Sequence, residues 1–152
     1  MKTLQTLITL IIITIGTQAY SQNTTQKFNS YLDRTEFFNS NGTMIGYAKT
    51  NSYLNRIEYY DSKGNMIKYE KQNDYLNRTE TYSQNGQQQG YEKNNSYLNQ
   101  NETYDQNGNQ KLTKKWNEYL KRYEVFNSNG IMVGYYTYNS YLDQWEFHKN
   151  GY

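Results

Sequence analysis

Six glutamates recur at one fixed step: Glu36, Glu58, Glu80, Glu102, Glu124 and Glu146, each 22 residues after the last (58 − 36 = 22). Carboxylates held in pairs are the machinery of glycoside hydrolysis. Two strands apart in one sheet, such groups lie ~9–10 Å from each other, which is at or beyond the range an inverting hydrolase uses. Arg34, Arg56, Arg78 and Arg122 each stand two residues before one of them and supply a structural partner. The column therefore reads as a charge ladder. A catalytic site needs a few unlike groups converging at one place, and here a few groups are copied along the chain. His148, the single histidine, stands where other units carry Phe38, Tyr60, Tyr82, Tyr104 or Phe126, so its position is an aromatic stacking position. With no cysteine and one histidine, a Cys/His metal site is excluded. The expectation is a protein without catalytic residues, cofactor or metal. Aromatic rings offer the other chemistry: Tyr31, Phe37, Tyr53, Tyr59, Tyr141 and Phe147 can stack on sugar rings, with neighbouring Asn, Asp and Gln binding hydroxyls. These six are the candidate ligand-binding residues.

The elements that must position these groups are tandem repeats. Tyr-Leu recurs at Tyr31, Tyr53, Tyr75, Tyr97, Tyr119 and Tyr141, and an unbroken period of this length marks a repeat array. Full units run 29–50, 51–72, 73–94, 95–116 and 117–138. A tail half-unit (22–28) precedes them and a leading half-unit (139–152) follows, which predicts an array capped by unpaired strands. Unit 95–116 departs most from the rest, with Gln100 for arginine and Gln110-Lys-Leu-Thr113 in place of the Met-Ile or Met-Val and Tyr of its neighbours. There the array is expected to bend or loosen.

Each unit reads as a β-hairpin. Tyr53 to Tyr60 is rich in aromatic and β-branched residues, and Asp61-Ser-Lys-Gly64 carries the turn chemistry of an acceptor at the start and a glycine with positive φ at the end. A two-residue turn would set Arg56 opposite Lys71, an unfavourable pair. A four-residue loop sets Arg56 opposite Tyr69, a cation–π pair, and is the register expected. Alternation then places Leu54, Arg56, Glu58, Tyr60, Ile67, Tyr69 and Lys71 on one face, nearly fixed between units. Tyr53, Ile57, Tyr59, Met66, Lys68 and Glu70 fall on the other, variable face. The repeated face, with Leu54, Arg56, Glu58, Tyr60 and Tyr69 and with Gly64 in its turn, is expected to be packed. The variable face is expected to meet solvent or ligand. The fold class predicted is all-β: eleven or twelve strands in tandem 22-residue hairpins, forming an elongated, curved single-layer sheet or a solenoid-like stack.

Glu58-Tyr-Tyr-Asp-Ser-Lys-Gly-Asn-Met-Ile-Lys-Tyr69 resembles the aromatic, glycine-turned hairpins of the bacterial variant of MORN repeats, and more weakly those of choline- and glucan-binding cell-wall repeats. The likeness covers about ten residues per unit. The chain lacks the Gly-x-Trp element of the cell-wall repeats and the Gly-Tyr/Trp start of MORN units, and its own Asn-x-Tyr-Leu element belongs to neither, so choline binding does not carry over. What the resemblance implies is a stack of β-hairpins with a binding or scaffolding role.

Composition bounds the rest. A net charge of +2 over 152 residues supplies no concentrated basic face, which argues against nucleic acid and anionic membranes as partners. Mean hydropathy is −1.13, so tyrosine, with 19 copies, must provide much of the buried area. Met1-Lys2, the apolar run to Ile15 and Ala19-Tyr-Ser21 have the anatomy of a secretory signal peptide (1–21), its uninterrupted apolar core well short of the ~20 residues a span needs. The mature chain, from Gln22, is expected to be exported to the periplasm, the cell surface or the medium, without membrane insertion after cleavage, disulfides or lipid anchor. Two functions fit: a non-enzymatic module that binds glycan or protein through its aromatic face, or an envelope assembly protein that self-associates through its end strands.

Overall fold

The computed structural model describes residues 23–150; the signal segment expected at 1–21 lies outside them. Twelve antiparallel strands form one closed barrel. They are β1 (Thr24–Asn29), β2 (Arg34–Asn39), β3 (Met44–Asn51), β4 (Arg56–Asp61), β5 (Met66–Asn73), β6 (Arg78–Ser83), β7 (Gln88–Asn95), β8 (Gln100–Asp105), β9 (Gln110–Asn117), β10 (Arg122–Asn127), β11 (Met132–Asn139) and β12 (Gln144–Lys149). Every strand pairs with its sequence neighbours, and β1 pairs with β12. The all-β hairpin repeat is thus as expected, but the elongated open sheet is not. The two half-units, expected to cap the array as unpaired strands, complete one another: β12 is the first strand of a sixth hairpin and β1 is its second. Closure removes both sheet edges, so neither end strand is left for self-association.

Two kinds of turn alternate around the barrel. At one end, Asp61–Gly64 and its equivalents close the hairpins. Gly64 N–H donates to Asp61 O at 3.1 Å and Asp61 N–H donates to Asn65 O at 2.9 Å, with Gly64 at φ +86°. Asp61 Oδ1 also accepts from the backbone of Lys63 and Asn65. The loop is one residue shorter than expected, and a bulge follows. Tyr60 lies opposite Met66, but Tyr59 lies opposite Lys68 and Glu58 opposite Tyr69. The strands therefore sit two residues from the predicted register. A shift of two preserves the faces, so the division into a repeated and a variable face holds except at the bulge. There Met66 lies opposite Tyr60 and Ile67 packs against the lumenal cluster, the reverse of the expected sides. The like-charge argument misjudged the register because an acid separates the cations: Lys71 lies opposite Glu80 on the next strand, and Arg56 bonds Glu58.

At the other end are six Asn-x-Tyr-Leu turns. Asn51 Oδ1 accepts the Leu54 N–H at 3.0 Å, and Asn55 closes the turn at φ +49°. The same left-handed residue occurs at Asp33, Asn77, Asn99 and Asp143, short polar side chains that this region favours, and at Lys121, which does not follow that preference. Leu54 belongs to this turn rather than to a strand, and is 42% exposed.

The variable face lines the lumen, reversing the expected packing. Phe37, Ala48, Tyr59, Val125, Tyr136 and Phe147 are buried there. A twelve-stranded barrel is wider than the eight-stranded kind that ordinary side chains fill, and long aromatic and charged residues occupy the extra space. The repeated face is the outer wall. Each arginine bonds the glutamate two residues on, as in Arg56 Nε to Glu58 Oε1 at 2.8 Å, and lies over the next strand's tyrosine ring, Arg56 being 4.2 Å from the Tyr69 centroid. This is the predicted cation–π pair, reached diagonally. Unit 95–116 keeps its strands and its pairing to both neighbours, so the array does not break there; what it lacks is the Arg-over-Tyr stack.

Candidate functional site

The candidate binding residues separate into two groups. Phe37, Tyr59 and Phe147 are 5%, 0% and 3% exposed inside the barrel and present nothing to a ligand. Tyr31, Tyr53 and Tyr141 sit in the Asn-x-Tyr-Leu turns at 93%, 94% and 93% exposure, joined at the same barrel end by Tyr75, Tyr97 and Tyr119. The six form a crown. The backbone beneath each is fixed by the asparagine cap and the left-handed residue, so the fold is held without the phenol. The position before the tyrosine varies as Ser30, Ser52, Asp74, Ser96, Glu118 and Ser140, while the tyrosine does not vary.

Inside the crown, the last lumen-facing residues of each strand form a mouth of two halves. On one side, Trp116, Tyr123, Trp145 and Tyr138 make a continuous aromatic shelf, with centroid separations of 4.8, 5.8 and 5.3 Å along that series. Tyr138 is 47% exposed, and its hydroxyl donates to Asp143 Oδ1 in the turn, which raises the phenol's pKa. Amides and hydroxyls stand on the other side: Asn94 Nδ2 donates to Asn101 Oδ1 at 2.8 Å, and Thr79 Oγ1 donates to Gln72 Oε1 at 2.9 Å. The shelf was missed in the sequence. Its signal was there, since alternation along each strand puts Trp116, Tyr123, Tyr138 and Trp145 on the face that holds Phe147, and each lies one step from a turn.

Deeper in the lumen is a cluster of opposite charges. Lys68 Nζ lies 3.3 Å from Glu70 Oε1, Tyr59 donates to Glu70 Oε2 at 3.1 Å, and Thr81 Oγ1 bonds Glu70 Oε1 at 3.4 Å. Glu92 and Lys114 complete it electrostatically. Burial pushes the Glu70 and Glu92 carboxyls up and the Lys68 and Lys114 amines down, outweighing their mutual attraction. Burial, reinforced by Glu70, also lifts the Tyr59 phenol well above its usual range. Perturbed groups can mark catalysis; here Lys68 and Glu70 are 9% and 4% exposed, and both are held by neighbouring side chains. Through Tyr59 and Thr81, Glu70 ties β5 to β4 and β6 on the lumen side.

The glutamate column lies on the outer wall, and the Oε1 of every member is bonded locally. Glu58 Oε1 accepts from Arg56 and Asn51, and Oε2 accepts the Tyr60 hydroxyl at 2.6 Å. Glu80 and Glu102 repeat this, with Gln100 in the arginine's place at Glu102. Such carboxylates form a ladder of structural bonds along the outer wall. Among the described residues, no group of three or more His, Cys, Asp or Glu could hold a metal ion.

No protein-family model matches the chain, and neither does any curated protein. Among solved structures, the barrel is similar to an X-ray structure of a protein from Arabidopsis thaliana, with a TM-score of 0.63 at 8% identity, covering 84% of this chain and 79% of that one. That likeness concerns the fold alone.

Proposed function

We propose that this chain is an exported, non-enzymatic binding module that grips a glycan at the crowned end of the barrel. The observation that carries the reading is the two-sided mouth. A shelf of indole and phenol rings faces side-chain amides across one opening, with six exposed tyrosines around it. Pyranose rings present an apolar face that stacks on aromatic rings and a rim of hydroxyls that bond amides, so both halves have a use. The crown adds multivalency: six equivalent rings let a repeating polymer gain avidity from contacts that are individually weak. The outer wall, which carries a glutamate in every unit, an arginine in four and a lysine in five, is unlike the apolar band of a lipid-facing barrel and favours a water-soluble form.

The test is co-sedimentation of residues 22–152 with insoluble polysaccharides and cell-wall preparations, alongside Trp145→Ala and a Tyr75→Ala/Tyr97→Ala double variant. Retention of the wild type, lost in Trp145→Ala and weakened in the double variant with melting unchanged, supports the reading. Equal retention of all three proteins, or none by any preparation, refutes it.

A further inference from the structure

The outer wall repeats one motif, a cation over a ring over a ring. Arg34, Tyr47 and Tyr60 form one copy, with a 4.3 Å cation–centroid distance and 4.9 Å between centroids. Arg56, Tyr69 and Tyr82 form the next at 4.2 and 5.1 Å. Arg78, Tyr91 and Tyr104 follow at 4.2 and 4.9 Å, as do Arg122, Tyr135 and His148. In each the middle phenol is sandwiched. The hydroxyls of Tyr47 and Tyr69 reach the turn glycine of the following hairpin, 3.8 and 3.7 Å from where a Cβ would stand on Gly64 and Gly86.

Two places interrupt the motif, and both substitute the same residues. Gln100, Thr113 and Phe126 replace the stack across β8, β9 and β10; Gln144, Thr25 and Phe38 replace it across β12, β1 and β2. The middle ring is missing in each. At the first, Gln110 Nε2 donates to Thr113 Oγ1 at 2.8 Å, and the Tyr104 hydroxyl donates to Glu102 Oε2 at 2.6 Å, so the gap is furnished from within. At the second, the seam where the barrel closes, Glu146 Oε1 accepts from Gln144 and Asn139. Its Oε2 accepts no hydrogen bond among the described residues; the nearest donor is His148 Nε2 at 3.8 Å. Here a groove of ≈ 510 Å³ opens, lined by Thr25, Lys27, Phe38, Gln144, Glu146 and His148, and running to the turn glycine Gly42. Gly42, like Gly108 and Gly130, meets no atom within 4 Å, whereas Gly64 and Gly86 meet a phenol there.

We propose that the seam groove is a binding site for a phenol ring, of the kind a peptide tyrosine carries, which enters as the missing middle ring of the sixth stack. The ring lies between the Gln144 amide and the Phe38 face, over Thr25, with its hydroxyl at Gly42. The unfilled Glu146 oxygen takes a hydrogen bond from the donor beside the ring. The site is distinct from the crowned mouth, because β1 and β12 meet on the outer wall and Gly42 belongs to the opposite rim. The ligand class follows from the protein's own template, since four complete copies show what the slot accepts.

The probe is N-acetyl-tyrosinamide, titrated while the Thr25 methyl resonance is followed by NMR. A ring seated over Thr25 moves that methyl upfield, saturably and in the millimolar range expected of one small ring. Thr25→Tyr fills the slot with the chain's own phenol. It is expected to abolish binding and raise the melting temperature; Trp145→Ala in the mouth leaves binding unchanged. Gln144→Arg, which restores the cation above the ring, is expected to tighten binding severalfold, and it keeps the test sound if Thr25→Tyr does not fold. No saturable shift in the wild type, equal binding by Thr25→Tyr, or loss of binding in Trp145→Ala with the barrel intact would each overturn the proposal.

Discussion

Thr25 lies directly opposite Glu146, the same relationship that Tyr69 has to Glu58 inside an unbroken hairpin. The two ends of the chain thus rebuild one repeat in its native register, and the barrel closes on a hairpin that has no covalent turn. A ring of coupled hairpins shares its stability, so loss of one strand exposes two edges and opens the lumen. Deleting 144–152 should therefore abolish the cooperative melting transition of the whole domain rather than trim it. A circular permutant that joins the ends through an Asx-Gly turn and opens at Asn107–Gly108 should melt at or above the wild-type temperature. A truncated chain that still melts cooperatively near that temperature would refute shared closure.

Acid should weaken the outer ladder. The Tyr82 hydroxyl, followed by Arg78 and Asn73, holds the Glu80 carboxyl below its usual value of 4.5, and Tyr104 and Gln100 do the same for Glu102. For Glu58, burial acts upward but the bonds from Tyr60, Arg56 and Asn51 outweigh it. A depressed folded pKa means that the unfolded chain binds more protons below 4.5, so this stability is present above that pH and is lost as pH falls through the folded values. Lumenal Glu70 and Glu92, raised by burial, act in the opposite sense. Denaturant midpoints followed from neutral pH to pH ~3 should fall in the wild type. In Glu80→Gln they should start lower, by roughly 1–3 kcal/mol for the broken charge-assisted bonds, and fall less steeply. Parallel acid arms in the two proteins would rule the ladder out as the source.

Alkali should act through the same rungs. Hydrogen bonds to Glu58, Glu80 and Glu102 push the phenols of Tyr60, Tyr82 and Tyr104 up to about 12 from 10.0. A raised folded pKa contributes stability that is full below the unfolded value and is lost as pH rises through the folded one, so the barrel should weaken between 10.0 and about 12. Phenolate absorbance should show a late-titrating fraction that disappears in denaturant. Tyr82→Phe should reduce that fraction by one phenol, matching Phe38 and Phe126, which occupy the same rung without a hydroxyl. An unchanged late fraction would show that the carboxylate bonds do not govern these phenols.

Much of this architecture was legible because repeats average out local ambiguity. The strands, the Asx-Gly hairpin turns and most of the two faces followed from a 22-residue period, and outside Met66 and Ile67 the faces survived a misjudged loop because a bulge restored the parity on which they depend. That Asn-x-Tyr-Leu is a turn did not follow from the period. Which face turns inward was not legible. Alternation sorts side chains but assigns no inside, and the inside is set by closure, a contact between Thr25 and Glu146 at opposite ends of the sequence. The candidate site suffered from extending alternation past its range. Tyr53 was grouped with Tyr59, yet β4 begins at Arg56, and the positive φ of Asn55 turns the chain before it. One residue therefore stands in solvent while the other is the most deeply buried ring.

The tightest steric constraint lies on the lumen wall, at glycines that recur in alternate hairpins. Gly46 and Gly90 stand where Lys68 and Leu112 stand in the units between. A Cβ on Gly90 would lie 2.3 Å from the Tyr104 carbonyl oxygen, and one on Gly46 would lie 2.4 Å from that of Tyr60. Both obstacles are backbone, so relief requires the strands to part, and no side-chain rotation suffices. Gly90→Ala should cost about 2 kcal/mol or more, in the range of overpacking in a filled core. Gly134→Ala meets the Phe147 ring at 2.3 Å as well as the His148 carbonyl at 2.6 Å. It should add a visible change in aromatic near-ultraviolet dichroism, because Phe147 packs on Tyr136 at 4.6 Å. The comparison variant is Lys68→Ala, which removes the cationic partner of Glu70 and leaves it Tyr59 and Thr81, but introduces no clash. If Gly90→Ala melts within about a degree of the wild type, the strands have slack at this point and the lumen is not close-packed there.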